Sequence, residues 1–339
     1  MKRTLFLLVA FVATTAVNAQ PQFAVLDHEG NLTAYYGSLA FVNAYNTAVD
    51  GDIITLSPGN FNLSSNLTIS KGVTIRGAGA YYDSVAHTEP TKIGGSYIYL
   101  SANDTTHNLK IEGIYFNTTA YTNGLMYARF NKCYFYNFQQ NSYTMQNCYF
   151  INCYFYYLTI SYSWRNNQFI NCIVGSQFSC TVTSPGNNTF ANCYLSMQTN
   201  DLTRLSNLNI YNSILYNVYN TSNNNFYPIS STESIYNCIG IWSNSFGSRN
   251  FFTSNTDSHH LYNFTSTTNL LKPAPNYYEL IDSLATIYIG NDGTQIGPAG
   301  GNFPYNMSVH HPRLGNIAPA LQTRPDGKLE VDVEIINEQ

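Results

Sequence analysis

Phe150-Ile151-Asn152-Cys153-Tyr154-Phe155 decides the fold, because it returns along the chain at a nearly constant step. Upstream it reads Phe130-Asn131-Lys132-Cys133-Tyr134-Phe135. Downstream it becomes Phe169-Ile170-Asn171-Cys172-Ile173-Val174, then Phe190-Ala191-Asn192-Cys193-Tyr194-Leu195. Ile210-Tyr211-Asn212-Ser213-Ile214-Leu215 and Ile235-Tyr236-Asn237-Cys238-Ile239-Gly240 continue it. Weaker copies precede it at Ile111-Glu112-Gly113-Ile114-Tyr115-Phe116, Ile93-Gly94-Gly95-Ser96-Tyr97-Ile98 and Ile75-Arg76-Gly77-Ala78. Self-similarity at a period of about twenty residues is the mark of a solenoid, in which each repeat buries its apolar face only against its neighbours.

Each unit reads apolar, variable, Asn or Gly, small, aromatic, large apolar. Asn and Gly both tolerate the left-handed backbone region, so this position predicts a sharp bend between two short strands. Beyond the bend, side chains alternate across the strand. Cys133, Cys153, Cys172 and Cys193 then point inward, as do Phe116, Phe135 and Phe155, and the residue between must point out. A step this short leaves no room for a strand-helix-strand crossover. The expectation is an all-β chain: a single-stranded right-handed parallel β-helix of about nine rungs, with an N-terminal helical cap and an irregular C-terminal segment.

The bend column Asn152, Asn171, Asn192, Asn212 and Asn237 resembles the pectate-lyase-like superfamily, in which stacked asparagine side chains form a ladder at one bend. Asp50-Gly51-Asp52-Ile53-Ile54 through Phe61, and Lys71-Gly72-Val73-Thr74-Ile75-Arg76-Gly77, are similar to the first two coils of such chains. Asn291-Asp292-Gly293-Thr294-Gln295-Ile296-Gly297 with Gly300-Gly301 resembles the closing segment of uncharacterised β-helix proteins exported by gut-type Gram-negative bacteria. The resemblance implies two chemistries: lyases with a Lys or Arg base and carboxylate-bound calcium, or hydrolases with clustered Asp.

The N-terminus has the pattern of a signal peptide: Lys2 and Arg3, an apolar run from Leu5 to Val12, and small residues before a cut near Ala19. The run is too short to span a membrane. The organisation expected is therefore 1–19 signal peptide, 20–50 N-terminal strand and capping helix, 51–256 parallel β-helix and 257–339 C-terminal cap and strand tail. The tail strand is read at Leu329 to Ile335, and the location as secreted or cell-surface. Losing Lys2 and Arg3 leaves 13 of the 15 basic side chains against 19 acidic ones. A basic stripe of the kind nucleic acid requires does not occur.

Five of the seven cysteines share one repeat position. Stacked in register, they would have Cβ atoms beyond disulfide distance, and Ser213, Ile114 and Ala78 substitute for them, so free thiols are expected. Between Glu112 and Asp257 only Asp201 and Glu233 carry carboxylates, and these sit in different units. Carbohydrate catalysis by paired carboxylates lacks its groups there. Lys132 and Arg129 are the candidates for a lyase base, and calcium enters only with that alternative. The pairs His259-His260 and His310-His311 are read as surface residues, so no metal or other cofactor is expected. The outward tyrosines Tyr97, Tyr115, Tyr134, Tyr154 and Tyr194 form the candidate ligand surface. Aromatic rings in a row offer stacking area for a polysaccharide or glycan; the alternative is a ladder that only stabilises rung pairing. The resulting expectation is a non-catalytic carbohydrate-binding or surface-interaction protein. Its alternatives are a polysaccharide lyase or glycoside hydrolase, and a structural adhesin stalk.

Overall fold

The computed structural model describes residues 22–84, 88–140, 143–161, 163–181, 186–197, 202–217, 228–229, 234–242, 250–253, 258–308, 313–319 and 331–336. Residues 1–19, read above as a signal peptide, and Asp201, Glu233, His310 and His311 lie outside them. The chain is an all-β parallel solenoid of about eight turns, consistent with a right-handed β-helix. Two long sheets run its length, one of eleven strands and one of twelve, and a two-stranded sheet forms part of a third side.

In the first sheet, Ile75, Ile111, Phe130, Phe150, Phe169, Phe190, Ile210 and Ile235 pair in succession. Ile75 pairs directly with Ile111, so the Ile93 unit is not a rung of this column. Thr91–Gly95 instead belongs to the second sheet, where Ile93 lies opposite Phe116. The chain between Arg76 and Lys110 makes one long turn, which is why about eight turns replace the nine expected. Gly77 shows what that turn requires: a Cβ there would stand 2.4 Å from the Gly113 carbonyl oxygen.

The bend is as expected. Lys132, Asn152, Asn171, Asn192, Asn212 and Asn237 have φ of 53, 53, 50, 52, 50 and 50°. A second bend went unread in the sequence. Tyr127, Asn147 and Asn166 are left-handed too (φ 60, 56 and 54°), one strand earlier in each turn. Asn147-Cys148 there repeats the chemistry of Asn152-Cys153. At both bends the thiol donates to the carbonyl two residues back: Cys153 to Ile151 at 3.4 Å and Cys148 to Gln146 at 3.4 Å. The Ser213 hydroxyl donates to Tyr211 in the same way, at 2.7 Å. A small donor that satisfies an inward carbonyl explains why Cys and Ser interchange at this position. All seven cysteines are free.

The interior is a stack of phenylalanines. Phe130, Phe150, Phe169 and Phe190 lie face to face, with centroids 4.8, 4.7 and 4.4 Å apart. Phe116, Phe135 and Phe155 form a second stack. At the N-terminal end, Phe23–His28 pairs antiparallel with both Asn31–Tyr36 and Ile53–Leu56. Helix Ala40–Thr47 buries Phe41, Ala44 and Tyr45 beneath this hairpin. Lys71 Nζ donates to the carbonyls of Tyr45 and Ala48 and so closes the helix C-terminus. This is the capping helix expected within residues 20–50. The second sheet continues to Leu261–Phe264, past residue 256. Val331–Ile336 pairs antiparallel with Arg313–Pro319, so the tail strand is half of a hairpin. Among the described residues, no helix is long and apolar enough to cross a membrane.

Candidate functional site

The outward position of the second sheet carries, in pairing order, Lys92, Tyr115, Tyr134, Tyr154, Ile173, Tyr194, Ile214, Ile239 and Tyr262. Four of the five tyrosines named from the sequence stand in this row. Tyr97 does not: its place belongs to Lys92. Tyr97 sits in the turn before Ile98–Leu100, 47% exposed, with its ring 5.4 Å from that of Tyr121.

The row is covered from Ile173 onward. The segment after Phe264 folds back along it, and Leu270, Leu271, Leu280 and Ile296 pack on Ile173, Tyr194, Ile214 and Ile239. Tyr194 is only 3% exposed and packs under this segment, lining a hollow of about 500 Å³ with Tyr216, Lys272 and Tyr277. Tyr134 and Tyr154 stack with centroids 4.8 Å apart and planes 10° apart. Rings stacked along the solenoid axis spend their faces on each other and turn their edges outward. Tyr115 departs from this stacking, its ring tilted 60° to that of Tyr134.

The row builds one wall of a cleft of about 500 Å³, lined by Tyr81, Tyr134, Tyr154, Pro275, Tyr277, Tyr278, Tyr305, Asn306 and Met307. Tyr81 comes from the long turn and meets Tyr134 and Tyr154 edge to face, at 5.8 and 6.5 Å. Tyr277, Tyr278 and Tyr305 come from the returning segment; Tyr277 and Tyr278 lie 5.6 Å apart, Tyr278 and Tyr305 5.3 Å. Tyr154 and Tyr277 share a hydrogen bond between hydroxyls at 3.1 Å. Burial pushes the phenols of Tyr134, Tyr154 and Tyr305 well above their ordinary range. They remain neutral hydroxyls, able both to donate and to accept.

Lys132 and Arg129 line a second hollow of about 420 Å³ with Tyr149, Asn152, Phe303, Pro304 and Asn306, and Asn306 also lines the tyrosine cleft. Burial lowers the Lys132 pKa, the direction a base would need. Its ammonium, however, donates to the Ser308 carbonyl, and the Arg129 guanidinium lies over the Tyr149 ring at 5.6 Å. Glu112 accepts a 2.8 Å bond from Asn131. His259 and His260 lie in the turn leading into Leu261–Phe264. Among the described residues, no three His, Cys, Asp or Glu side chains gather in a metal-binding arrangement.

Sequence reading found Tyr134 and Tyr154 but missed Tyr81, Tyr277, Tyr278 and Tyr305. These fall outside the repeat, and the only trace they leave is the aromatic pairs Tyr81-Tyr82 and Tyr277-Tyr278 in otherwise irregular chain. Comparison with protein-family models, with curated proteins and with solved structures finds no match in any of the three, so the function has to be argued from this geometry.

Proposed function

We propose that the protein is an exported, non-catalytic carbohydrate-binding β-solenoid, secreted or held at the cell surface, and that it takes a glycan in the tyrosine cleft. The observation that carries this reading is the cleft itself: rings from three separate stretches of chain converge with neutral hydroxyls and the Asn306 amide. Its size lies in the range of small-ligand sites, and tyrosine offers an apolar face with a polar tip, which suits a sugar's mixed surface. Export rests on the Lys2 to Ala19 pattern. A pectate-lyase-like ancestry is part of the same proposal, supported by the parallel solenoid and the left-handed asparagine bend.

The test is retention of the mature protein on a glycan array. Tyr81→Ala combined with Tyr277→Ala removes two walls of the cleft and leaves the phenylalanine stacks intact. Retention is expected to weaken by about tenfold or more, with far-UV circular dichroism unchanged, since truncating an aromatic ring that anchors a ligand costs about 2 kcal/mol or more. A double variant that binds as well as the parent, or a parent that retains no glycan, would remove the reading. Incubation with acidic and neutral glycans, with and without calcium, tests the lyase and hydrolase alternatives. New unsaturated or reducing ends, lost in Lys132→Ala, would replace the binding role with catalysis.

A further inference from the structure

The asparagine column does more than turn the chain. Beyond Phe264 the segment runs back along the solenoid, and at turn after turn a bend side chain reaches out to it. Asn212 Nδ2 donates to Asn291 Oδ1 at 2.8 Å and to Asp292 Oδ2 at 3.1 Å, and Asn291 N donates back to Asn212 Oδ1. Asn192 Nδ2 donates to the same Asp292 oxygen at 3.1 Å. Asn171 Nδ2 donates to the carbonyls of Pro298 and Gly300, at 2.8 and 2.6 Å. Lys132, the one lysine in the column, donates to Ser308. These side chains are therefore not bonded to one another in the ladder expected from the resemblance. They hold the returning segment.

The segment is shaped to be held. A Cβ on Gly290 would stand 2.6 Å from Asn212 Cγ, and one on Gly297 would stand 2.7 Å from Ile214 Cδ1. Gly301 is left-handed (φ 76°), and a Cβ there would meet Asn192 Cγ at 3.0 Å. At the centre is Asp292. One carboxylate oxygen takes both asparagine amides; the other takes the Thr294 amide at 2.9 Å and hydroxyl at 2.8 Å. The glycines and Asp292 of Gly290-Asn291-Asp292-Gly293-Thr294 and its sequel thus complement the repeat's own asparagines.

We propose that Asn171, Asn192, Asn212 and Asp292 are positioning residues for the tyrosine cleft: by seating the returning segment they set where Tyr277, Tyr278, Tyr305 and Asn306 stand. The inference rests on the reading of that cleft as the glycan site, and its test separates the two. Hydrogen exchange of the mature protein is followed by mass spectrometry in Asp292→Ala and Asp292→Asn, alongside glycan-array retention. Losing charge-assisted bonds raises exchange in residues 275–306 by about tenfold or more in Asp292→Ala. Peptides covering Phe150–Phe155 keep their protection. Asp292→Asn keeps one acceptor oxygen but turns an NH₂ toward donors, so it falls between wild type and Asp292→Ala. Retention is expected to fall in the same order.

Asn192→Gly provides a second variant if Asp292→Ala does not fold, since it keeps the left-handed bend and removes only the side chain. Wild-type exchange at residues 275–306 in both Asp292→Ala and Asn192→Gly would overturn the inference. If the exchange order holds while the wild type retains no glycan, the seating stands and the glycan reading falls.

Discussion

Substituting Asn152 and Asn192 each by Gly and by Ala separates the two tasks of the bend column. Both residues are left-handed, at φ 53 and 52°, and both are nearly buried. They differ in what the side chain does. Asn192 donates to the Asp292 carboxylate, whereas Asn152 Oδ1 is buried with no partner. Asn already holds its Cβ in the left-handed region and offsets the strain with a short polar side chain; Ala keeps the Cβ and loses that offset, at a cost of up to about 1–2 kcal/mol. Gly removes that cost. Its extra freedom in the unfolded chain costs about 0.4–1 kcal/mol, which at Asn152 is offset by deleting an unpaired oxygen.

Asn152→Gly is therefore expected within about 1 kcal/mol of wild type, and Asn152→Ala about 1–2 kcal/mol below it. Asn192→Gly loses a bond to a charged group, about 1.5–3 kcal/mol, and with the cost of chain freedom falls about 2–4 kcal/mol below wild type. Asn192→Ala adds the backbone cost and reaches about 2.5–5 kcal/mol. The measurement is urea unfolding followed by far-UV circular dichroism, comparing midpoints at unchanged slope. Equal midpoints for Asn152→Gly and Asn152→Ala would refute the left-handed bend as the reason for asparagine. Asn192→Gly as stable as Asn152→Gly would refute the bond to Asp292.

Two further outcomes follow from burial and charge. In the native protein Cys180, the one cysteine that is not buried, is expected to react with a thiol reagent while the other six wait for unfolding; a second rapidly reacting thiol would contradict the interior column. Burial supports this ordering, since it pushes Cys148 and Cys238 up to about 12 and holds the Cys133, Cys153 and Cys172 thiols well above their ordinary value. The second concerns alkaline pH. The cleft phenols have folded pKa values raised above the unfolded value near 10. The folded state keeps protons that the unfolded chain has released, so the phenols' contribution to stability is level below about pH 10 and falls above it, adding to the loss that the buried thiols begin at about pH 8.5. Urea midpoints that stay level to pH 11 would contradict the raised phenols of the half-buried cleft.

The bend, the inward cysteine and phenylalanine columns and the parallel stacking were legible because one physical demand recurs in every turn. A left-handed residue, a small donor to cap the inward carbonyl and an aromatic ring to fill the core leave the same letters each time. Ile93-Gly94-Gly95 imitated that signature without meeting the demand. Its glycine is left-handed (φ 92°), but Leu63 and Gly95 pair across neighbouring strands there, within the second sheet. Local conformation is written in a few residues, whereas register depends on which strand lies alongside. The second bend left the clearer trace at Asn147-Cys148 and Asn166-Asn167, and was obscured only because the first bend had already explained the period.

The candidate site was legible by half for a different reason. Tyr134 and Tyr154 lie in the repeat, so their column could be read, but an outward position says nothing of what lies on top of it. Covering a solenoid's flank requires a segment that does not repeat, and such a segment shows no period to detect. Here its signature was split between two distant places. The asparagines at 171, 192 and 212 were explained by backbone conformation alone, and the glycines and Asp292 of residues 290–301 by none. Glycine at a bend would turn the chain equally well, as Gly113 does with φ 64°. Asparagine carries, besides that conformation, an amide, and at three turns that amide ends on the returning segment. The choice of Asn over Gly at those turns is thus the part of the repeat that serves the cleft rather than the coil.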